Sequence, residues 1–163
     1  MFDSKFNLVC GNTKSGKTDF LIQTSKILKE CGYKLFFLGA TFELDNFREL
    51  RYIFDNFNFF SSQEKNNLLI IEKISELISK KQINLLIVDD IDFLPKKQIE
   101  LIYKLNCKKI VSCKSSNSPL FQNLEFDDYF IEFQTLTFND NKYKMEELVK
   151  SFFRNQKLNF LLD

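Results

Sequence analysis

Apolar positions along the chain fall into short continuous runs, separated by longer stretches in which they recur every three or four residues. The runs predict buried strands at about 6–10, 33–39, 56–60, 85–90, 109–113 and 129–133. The periodic stretches predict helices at about 17–31, 42–54, 61–81 and 95–105. Because strands alternate with helices, we expect crossover connections and a mainly parallel sheet.

Two of these helices show an apolar face that should pack on the sheet. The predicted faces are Phe20, Leu21, Ile27 and Leu28 in the first helix, and Leu68, Ile71, Ile74, Leu77 and Ile78 in the third. The tail from 145 to 162 has two interpretations: two strands around a turn at 155–157, or a helix in its first half. Without internal repeats or linkers, the pattern predicts one three-layer α/β domain over residues 1–163.

The composition is that of a packed globular protein. Apolar residues make up 44% of the 163, and the net charge of +1 creates no overall field for nucleic acid or an anionic membrane. The chain has no histidine, and its four cysteines include no CxxC pair. Imidazole catalysis and a conventional zinc site are therefore excluded.

Nothing in the sequence indicates export or membrane insertion. The first strand begins near Phe6, which leaves no room for a signal peptide. No apolar run approaches the roughly 20 residues needed to cross a bilayer. Cysteines without a pairing pattern fit a reducing compartment. We therefore expect a cytoplasmic protein without a membrane partner.

The most specific motif follows the first strand. Its eight residues read GNTKSGKT, which fits GxxxxGKT, and they lie between a predicted strand and a predicted helix. Backbone N–H groups in such a loop surround phosphate oxygens, and the helix dipole favours the same anion. We expect ATP to bind at Gly11, Asn12, Thr13, Lys14, Ser15, Gly16, Lys17 and Thr18. The Lys17 amine should reach the terminal phosphates.

A later strand supplies an acid for a metal ion. The segment LLIVDD is apolar until it ends in Asp89 and Asp90. In a parallel sheet its end should lie beside the phosphate loop. We therefore expect Thr18 and Asp89 to hold Mg²⁺ with the nucleotide.

The sequence leaves two acidic residues as candidates for the group that would orient an attacking water. Asp90 lies beside the metal acid, whereas Glu43 lies shortly beyond the second strand; Asp92 ranks behind both. Polar residues around the end of the fifth strand, among them Ser112, either sense the terminal phosphate or form a simple polar loop.

These segments resemble the RecA-like division of P-loop ATPases, through GNTKSGKT, LFFLG, LLIVDD and KKIVSC. The tail ELVKSFFRNQKLNF looks like the closing β-hairpin of replicative ring helicases. The resemblance implies a RecA-like P-loop fold with a C-terminal β-hairpin, a homo-oligomer and single-stranded nucleic acid as partners. It makes Arg154, and after it Lys150, the basic residue that reaches a neighbouring subunit's nucleotide. Phe152 stands where these helicases have a lysine, and Ala40 or Thr41 where they have a glutamate.

Other P-loop families share shorter segments. LLIVDDIDFL is similar to the acid strand of initiator-type AAA+ ATPases. GATFELDNFREL resembles the cobinamide kinases and VDDIDFL the thymidine kinases, although the zinc cysteines of the latter are absent. In a kinase of this kind, Arg48 or Arg51 would serve the acceptor.

The main expectation is therefore an ATP-binding, Mg²⁺-dependent P-loop ATPase in nucleic-acid transactions, helicase-like or accessory. Its catalytic residues would be Lys17, Glu43, Asp90 and Arg154. One alternative is a small-molecule or nucleoside kinase of P-loop fold. Another is a weakly hydrolysing regulatory or assembly subunit.

Overall fold

The computed structural model describes residues 6–12, 16–39, 50–54, 56–125 and 131–132, together with five positions of the tail. The strands are β1 (Phe6–Cys10), β2 (Leu35–Gly39), β3 (Asn56–Phe59), β4 (Leu85–Asp89), β5 (Lys108–Cys113) and β6 (Ile131–Glu132). The α-helices are α1 (Lys17–Glu30), α2 (Glu64–Ser79) and α3 (Lys96–Tyr103). Short 3₁₀ turns span Ile91–Phe93 and Pro119–Phe121.

The strands form one parallel sheet in the order β3-β2-β4-β5-β1-β6. The strands β1, β2 and β4 are buried along their whole length, as their continuous apolar runs predict for strands covered on both faces. Because every pairing is parallel, the carboxyl ends of the strands lie at one edge of the sheet. The phosphate loop starts at this edge, after β1, and Asp89 lies at the same edge, at the end of β4. The strands β1 and β4 are the two neighbours of β5.

Helices cover both faces of the sheet. On one face, α1 buries Phe20, Leu21 and Leu28 against side chains such as Phe37 and Ile87. On the other face, α2 and α3 bury residues that include Ile74 and Ile102. The predicted three-layer α/β fold with a mainly parallel sheet is confirmed.

Two residues assigned to the inward helix faces are not buried. Ile27 is 37% exposed and Leu68 is 40% exposed. In α2 the buried position beside Leu68 is Asn67, whose side chain donates to the Ser61 carbonyl (2.9 Å) and accepts from the Ser61 N–H (2.8 Å). These hydrogen bonds to the segment before the helix hold Asn67 inward and turn Leu68 outward.

The tail is helical wherever the structure describes it. Met145, Glu147, Val149, Lys150 and Phe153 are all in helical conformation, and Met145 and Val149 are buried in the α1-side core. The prediction of a β-strand in the first half of the tail is therefore wrong at these positions. The alternative prediction, a helix, is confirmed there. The rest of the expected β-hairpin lies outside the described residues. Likewise, only 50–53 of the predicted helix at 42–54 are described as helical.

Within the described part of the chain, no helix combines the length and the apolar character needed to cross a membrane.

Candidate functional site

The phosphate loop joins the end of β1 to the start of α1. Gly16 adopts φ 103°, a left-handed conformation that glycine reaches without strain, and its carbonyl accepts the Phe20 N–H at 2.9 Å. At the other end, the Gly11 N–H donates to the Cys113 carbonyl at 3.1 Å. The loop is thus tied to β5 and to the first turn of α1. Gly11, Asn12 and Gly16 are described, whereas Thr13, Lys14 and Ser15 lie outside the described residues.

The Lys17 amine lies at the centre of this edge of the sheet. The residue is only 5% exposed, and its Nζ donates to the carbonyls of Gly11 (2.5 Å) and Cys113 (3.2 Å). The same Nζ lies 3.8 Å from Asp90 Oδ1. The loop and the ends of β4 and β5 therefore converge on one ammonium group.

Asp89 ends β4 and lies beside Thr18. It is 2% exposed, and its Oδ2 accepts the Thr18 hydroxyl at 2.6 Å. Its Oδ1 accepts the Ser112 hydroxyl at 2.5 Å. Burial raises the pKa of this carboxyl, although hydrogen bonds from Ser112 and Thr18 and the charge of Lys17 oppose the shift. Thr18 and Asp89, expected to share a cation, are in direct contact.

Asp90 turns back toward the same site. Its backbone has φ 56° and ψ 53°, a left-handed conformation that Asp tolerates better than most residues. Its side chain is 43% exposed. Burial and the neighbouring charge of Asp89 raise the pKa of Asp90 to about 6, against the lowering effect of Lys17. A half-exposed carboxylate with this pKa is suited to exchange a proton near neutrality.

The donors at this site fit Mg²⁺. Thr18 and Asp89 offer a hydroxyl and a carboxylate, the hard oxygen ligands that Mg²⁺ takes in small number alongside phosphate oxygens and water. Among the described residues there is no cluster of three or more His, Cys, Asp or Glu side chains that could enclose a metal ion. The protein's oxygen atoms would thus hold Mg²⁺ from one side.

The remaining polar residues that the sequence singled out make other contacts in the structure. Asp92 Oδ2 accepts the Lys114 N–H at 3.0 Å, so this acid holds the loop after β5. Ser112 lies inside β5 and not in a loop after it. Arg51 is exposed on the helical segment 50–53, and Lys150 lies 3.9 Å from Glu147, one helical turn away.

Besides the three loop residues Thr13, Lys14 and Ser15, three more of the predicted functional residues lie outside the described residues. These are Glu43, Arg48 and Arg154. The structure therefore brings together Lys17, Thr18, Asp89 and Asp90, and the roles expected of Glu43 and Arg154 stay predictions.

Sequence reasoning missed an aromatic pair at the same edge of the sheet. Phe93 follows Asp90 by one short turn, and Phe60 follows β3 with its N–H on the Gly39 carbonyl (2.7 Å). The two rings are stacked, with centroids 5.9 Å apart and planes 6° apart. Phe93 is 56% exposed. The sequence signal that could have indicated this pair is Phe93 itself, a bulky aromatic residue directly after the acidic residues that follow β4.

Comparison with known proteins shows which family the chain resembles. The family model described as thymidine kinase matches residues 4–126 of the 163, which include the phosphate loop, Asp89, Asp90 and β5. No match was found among the curated proteins. The family match supports the kinase alternative drawn from VDDIDFL, while the likeness to replicative helicases receives no support from it.

Proposed function

Since the chain belongs to the thymidine kinase family, we propose that it transfers the γ-phosphoryl group of ATP to a hydroxyl of a nucleoside, with Mg²⁺ as cofactor. The observation that carries this proposal is the position of the Asp90 carboxylate, whose Oδ1 lies 3.8 Å from the Lys17 amine. Phosphoryl transfer to a hydroxyl needs a group that accepts the hydroxyl proton close to the γ-phosphate.

The donor nucleotide occupies the loop Gly11 to Thr18. Its phosphates receive the loop N–H groups and the positive end of the α1 dipole. Lys17 contributes a mobile charge: its amine exchanges its carbonyl partners for the oxygens of the terminal phosphates. This interaction stabilises the charge that develops as the γ-phosphoryl group moves.

Thr18 and Asp89 are the residues that would hold Mg²⁺ beside the triphosphate. When bound, the ion neutralises charge on the phosphate oxygens and favours departure of ADP. The 2.6 Å contact between the two side chains supports this assignment, because both ligands are already directed to one point. Asp89 is buried, and a cation beside it would offset the cost of its ionised form.

Asp90 acts as the general base. The acceptor oxygen attacks the γ-phosphorus, the bond from that phosphorus to the β–γ bridging oxygen breaks, and ADP leaves. The hydroxyl proton passes to Asp90. A pKa of about 6 leaves the carboxylate mostly ionised at neutral pH and makes it a stronger base than an ordinary Asp.

The Phe60–Phe93 stack supports a nucleoside as the acceptor. Phe93 offers an exposed ring face or edge one turn from Asp90, and the parallel Phe60 ring holds it in place. A planar nucleobase gains about 1–3 kcal/mol by stacking on an aromatic side chain. A base stacked here would bring its sugar hydroxyl toward the acid end of β4.

A phosphoryl-transfer assay tests the proposal. The protein is incubated with MgATP and each common nucleoside in turn, and ADP and nucleoside monophosphate are separated by chromatography. At least one nucleoside should be phosphorylated, with Lys17→Ala inactive. Release of inorganic phosphate that single-stranded DNA stimulates, with no nucleoside phosphorylated, would favour the ATPase expectation. Tight nucleotide binding without either product would favour a regulatory subunit.

A further inference from the structure

The hydroxyl of Ser112 connects the two acids at the end of β4. It donates to Asp89 Oδ1 at 2.5 Å and accepts the Asp90 backbone N–H at 2.8 Å. One buried side chain on a neighbouring strand therefore contacts both of the residues that the proposed reaction needs from this strand.

This hydroxyl lies among apolar neighbours in the second half of β5. Ser112 is fully buried in β5, between Val111 and Cys113, and it pairs in register with Val9 of β1. A buried hydroxyl is unfavourable unless its hydrogen-bonding capacity is used. The donor and one acceptor lone pair of Ser112 are both used, and both partners belong to the site. Packing alone would be served by an alanine or valine at this position.

The two hydrogen bonds have different consequences. Asp89 Oδ2 faces Thr18, so the bond from Ser112 to Oδ1 fixes the plane of the carboxylate from its other oxygen. If the Thr18 hydroxyl turns to bind a cation, the Ser112 bond remains and keeps Oδ2 in place. The bond from the Asp90 N–H restrains a residue whose φ is 56°. Asp89, through its Oδ1, and Asp90, through its backbone N–H, are thus both hydrogen-bonded to the Ser112 hydroxyl.

We propose that Ser112 is a positioning residue, which orients Asp89 toward Mg²⁺ and holds the backbone of Asp90 in its left-handed turn. This inference rests on the proposed function for the identity of the metal site. It concerns metal-linked nucleotide binding, which is measured without any acceptor. Partners of metal ligands in other proteins contribute about 10–100-fold to metal affinity or activity.

The test compares nucleotide affinity with and without the cation. Calorimetry gives the Kd of the non-hydrolysable β,γ-imido analogue of ATP in Mg²⁺ and in EDTA, and the ratio of the two is the metal-linked gain. Ser112→Ala should leave the Kd in EDTA within about two-fold of the parent and reduce the metal-linked gain about ten-fold. The matched control is Ser25→Ala, which removes another fully buried serine hydroxyl, bonded to the Leu21 carbonyl at 2.6 Å within α1. This control should keep the parent's ratio.

Thermal unfolding shows whether each variant is folded. If Ser112→Ala does not fold, Ser112→Cys retains the size with a much weaker donor, and it should show the same reduction. An unchanged metal-linked gain in a folded variant overturns the proposal. So does a parent protein without any metal-linked gain, because Ser112 would then have no cation to serve. If the gain falls as expected while no nucleoside is phosphorylated, the role of Ser112 stands and the kinase proposal fails.

Discussion

Replacement of Asp90 by Asn should abolish activity and stabilise the fold at the same time. The amide cannot accept a proton, and loss of a general base lowers rates by about 10²–10⁴-fold. Asn has nearly the same shape and also tolerates the left-handed conformation seen at φ 56°. The variant therefore removes the charge of Asp90 with little change to the backbone.

The stability gain follows from the raised pKa of Asp90. Its rise from 3.8 to about 6 means that the folded state disfavours the ionised carboxylate. The full interval corresponds to at most about 3 kcal/mol, and solvent screening of a side chain that is 43% exposed reduces this to about 1 kcal/mol. For a chain of this size, such a gain raises the Tm by about 2–4 °C.

The dependence on pH has a definite sign. Because the folded pKa is raised, the parent protein is relatively stabilised at low pH, and it loses this stability as the pH rises through about 6. The advantage of Asp90→Asn should therefore be complete above pH 7, shrink as the pH falls below 6, and vanish below 3.8. Differential scanning calorimetry of parent and variant in matched buffers measures this difference, since titrating groups that do not interact with Asp90 contribute equally to both proteins. A variant that keeps more than a tenth of the parent's transfer rate, or that unfolds at a lower temperature at pH 7.5, would refute the reasoning.

Four further substitutions test other parts of the account. Lys17→Ala should weaken ATP binding at least ten-fold by removing the central ammonium group, which calorimetry measures; parent-like affinity would contradict this. Asp89→Asn should weaken nucleotide binding in Mg²⁺ while affinity in EDTA changes little, and equal losses in both would exclude a metal role. Phe93→Ala should raise the KM for the nucleoside roughly ten-fold with little effect on the KM for ATP, because a stacking contact is lost; an unchanged nucleoside KM would remove Phe93 from the acceptor site. Gly39→Ala should lower the free energy of unfolding by about 1–3 kcal/mol in urea titrations, since a Cβ there would lie 2.7 Å from the Phe37 ring; unaltered stability would mean that the ring moves freely.

The convergence of Lys17, Thr18 and Asp89 at one edge of the sheet was predictable from the sequence, because backbone geometry dictates where these residues lie. The GxxxxGKT pattern requires a strand before it and a helix after it, and an apolar strand that ends in acids must finish at the same edge of a parallel sheet. Lys17 and Asp89 are 72 positions apart in the chain, yet these two local rules were enough to bring them together. The helical alternative for the tail was likewise visible in the sequence.

Side-chain positions that depend on contacts between different segments of the chain could not be predicted from local sequence patterns. The exposure of Leu68 follows from the hydrogen bonds between Asn67 and Ser61, which helical periodicity does not register. The two bonds of Ser112 depend on how β5 sits beside β4, and a serine at the end of an apolar run reads equally well as the start of a loop.

The sequence motifs did not distinguish an ATPase from a kinase. The phosphate loop and the acid strand are common to both classes of protein. The finding that separates them here is the match to the thymidine kinase family over residues 4–126, which include the short segment VDDIDFL. The features that favoured a helicase were Arg154 and a terminal hairpin, and the described tail residues are helical.

The most direct test of the kinase proposal is the stoichiometry of the products, measured by mass spectrometry after incubation with MgATP and the best nucleoside from the panel. The account predicts one nucleoside monophosphate for each ADP formed, and no product from Lys17→Ala. Formation of ADP and inorganic phosphate, with every nucleoside recovered intact, would contradict it.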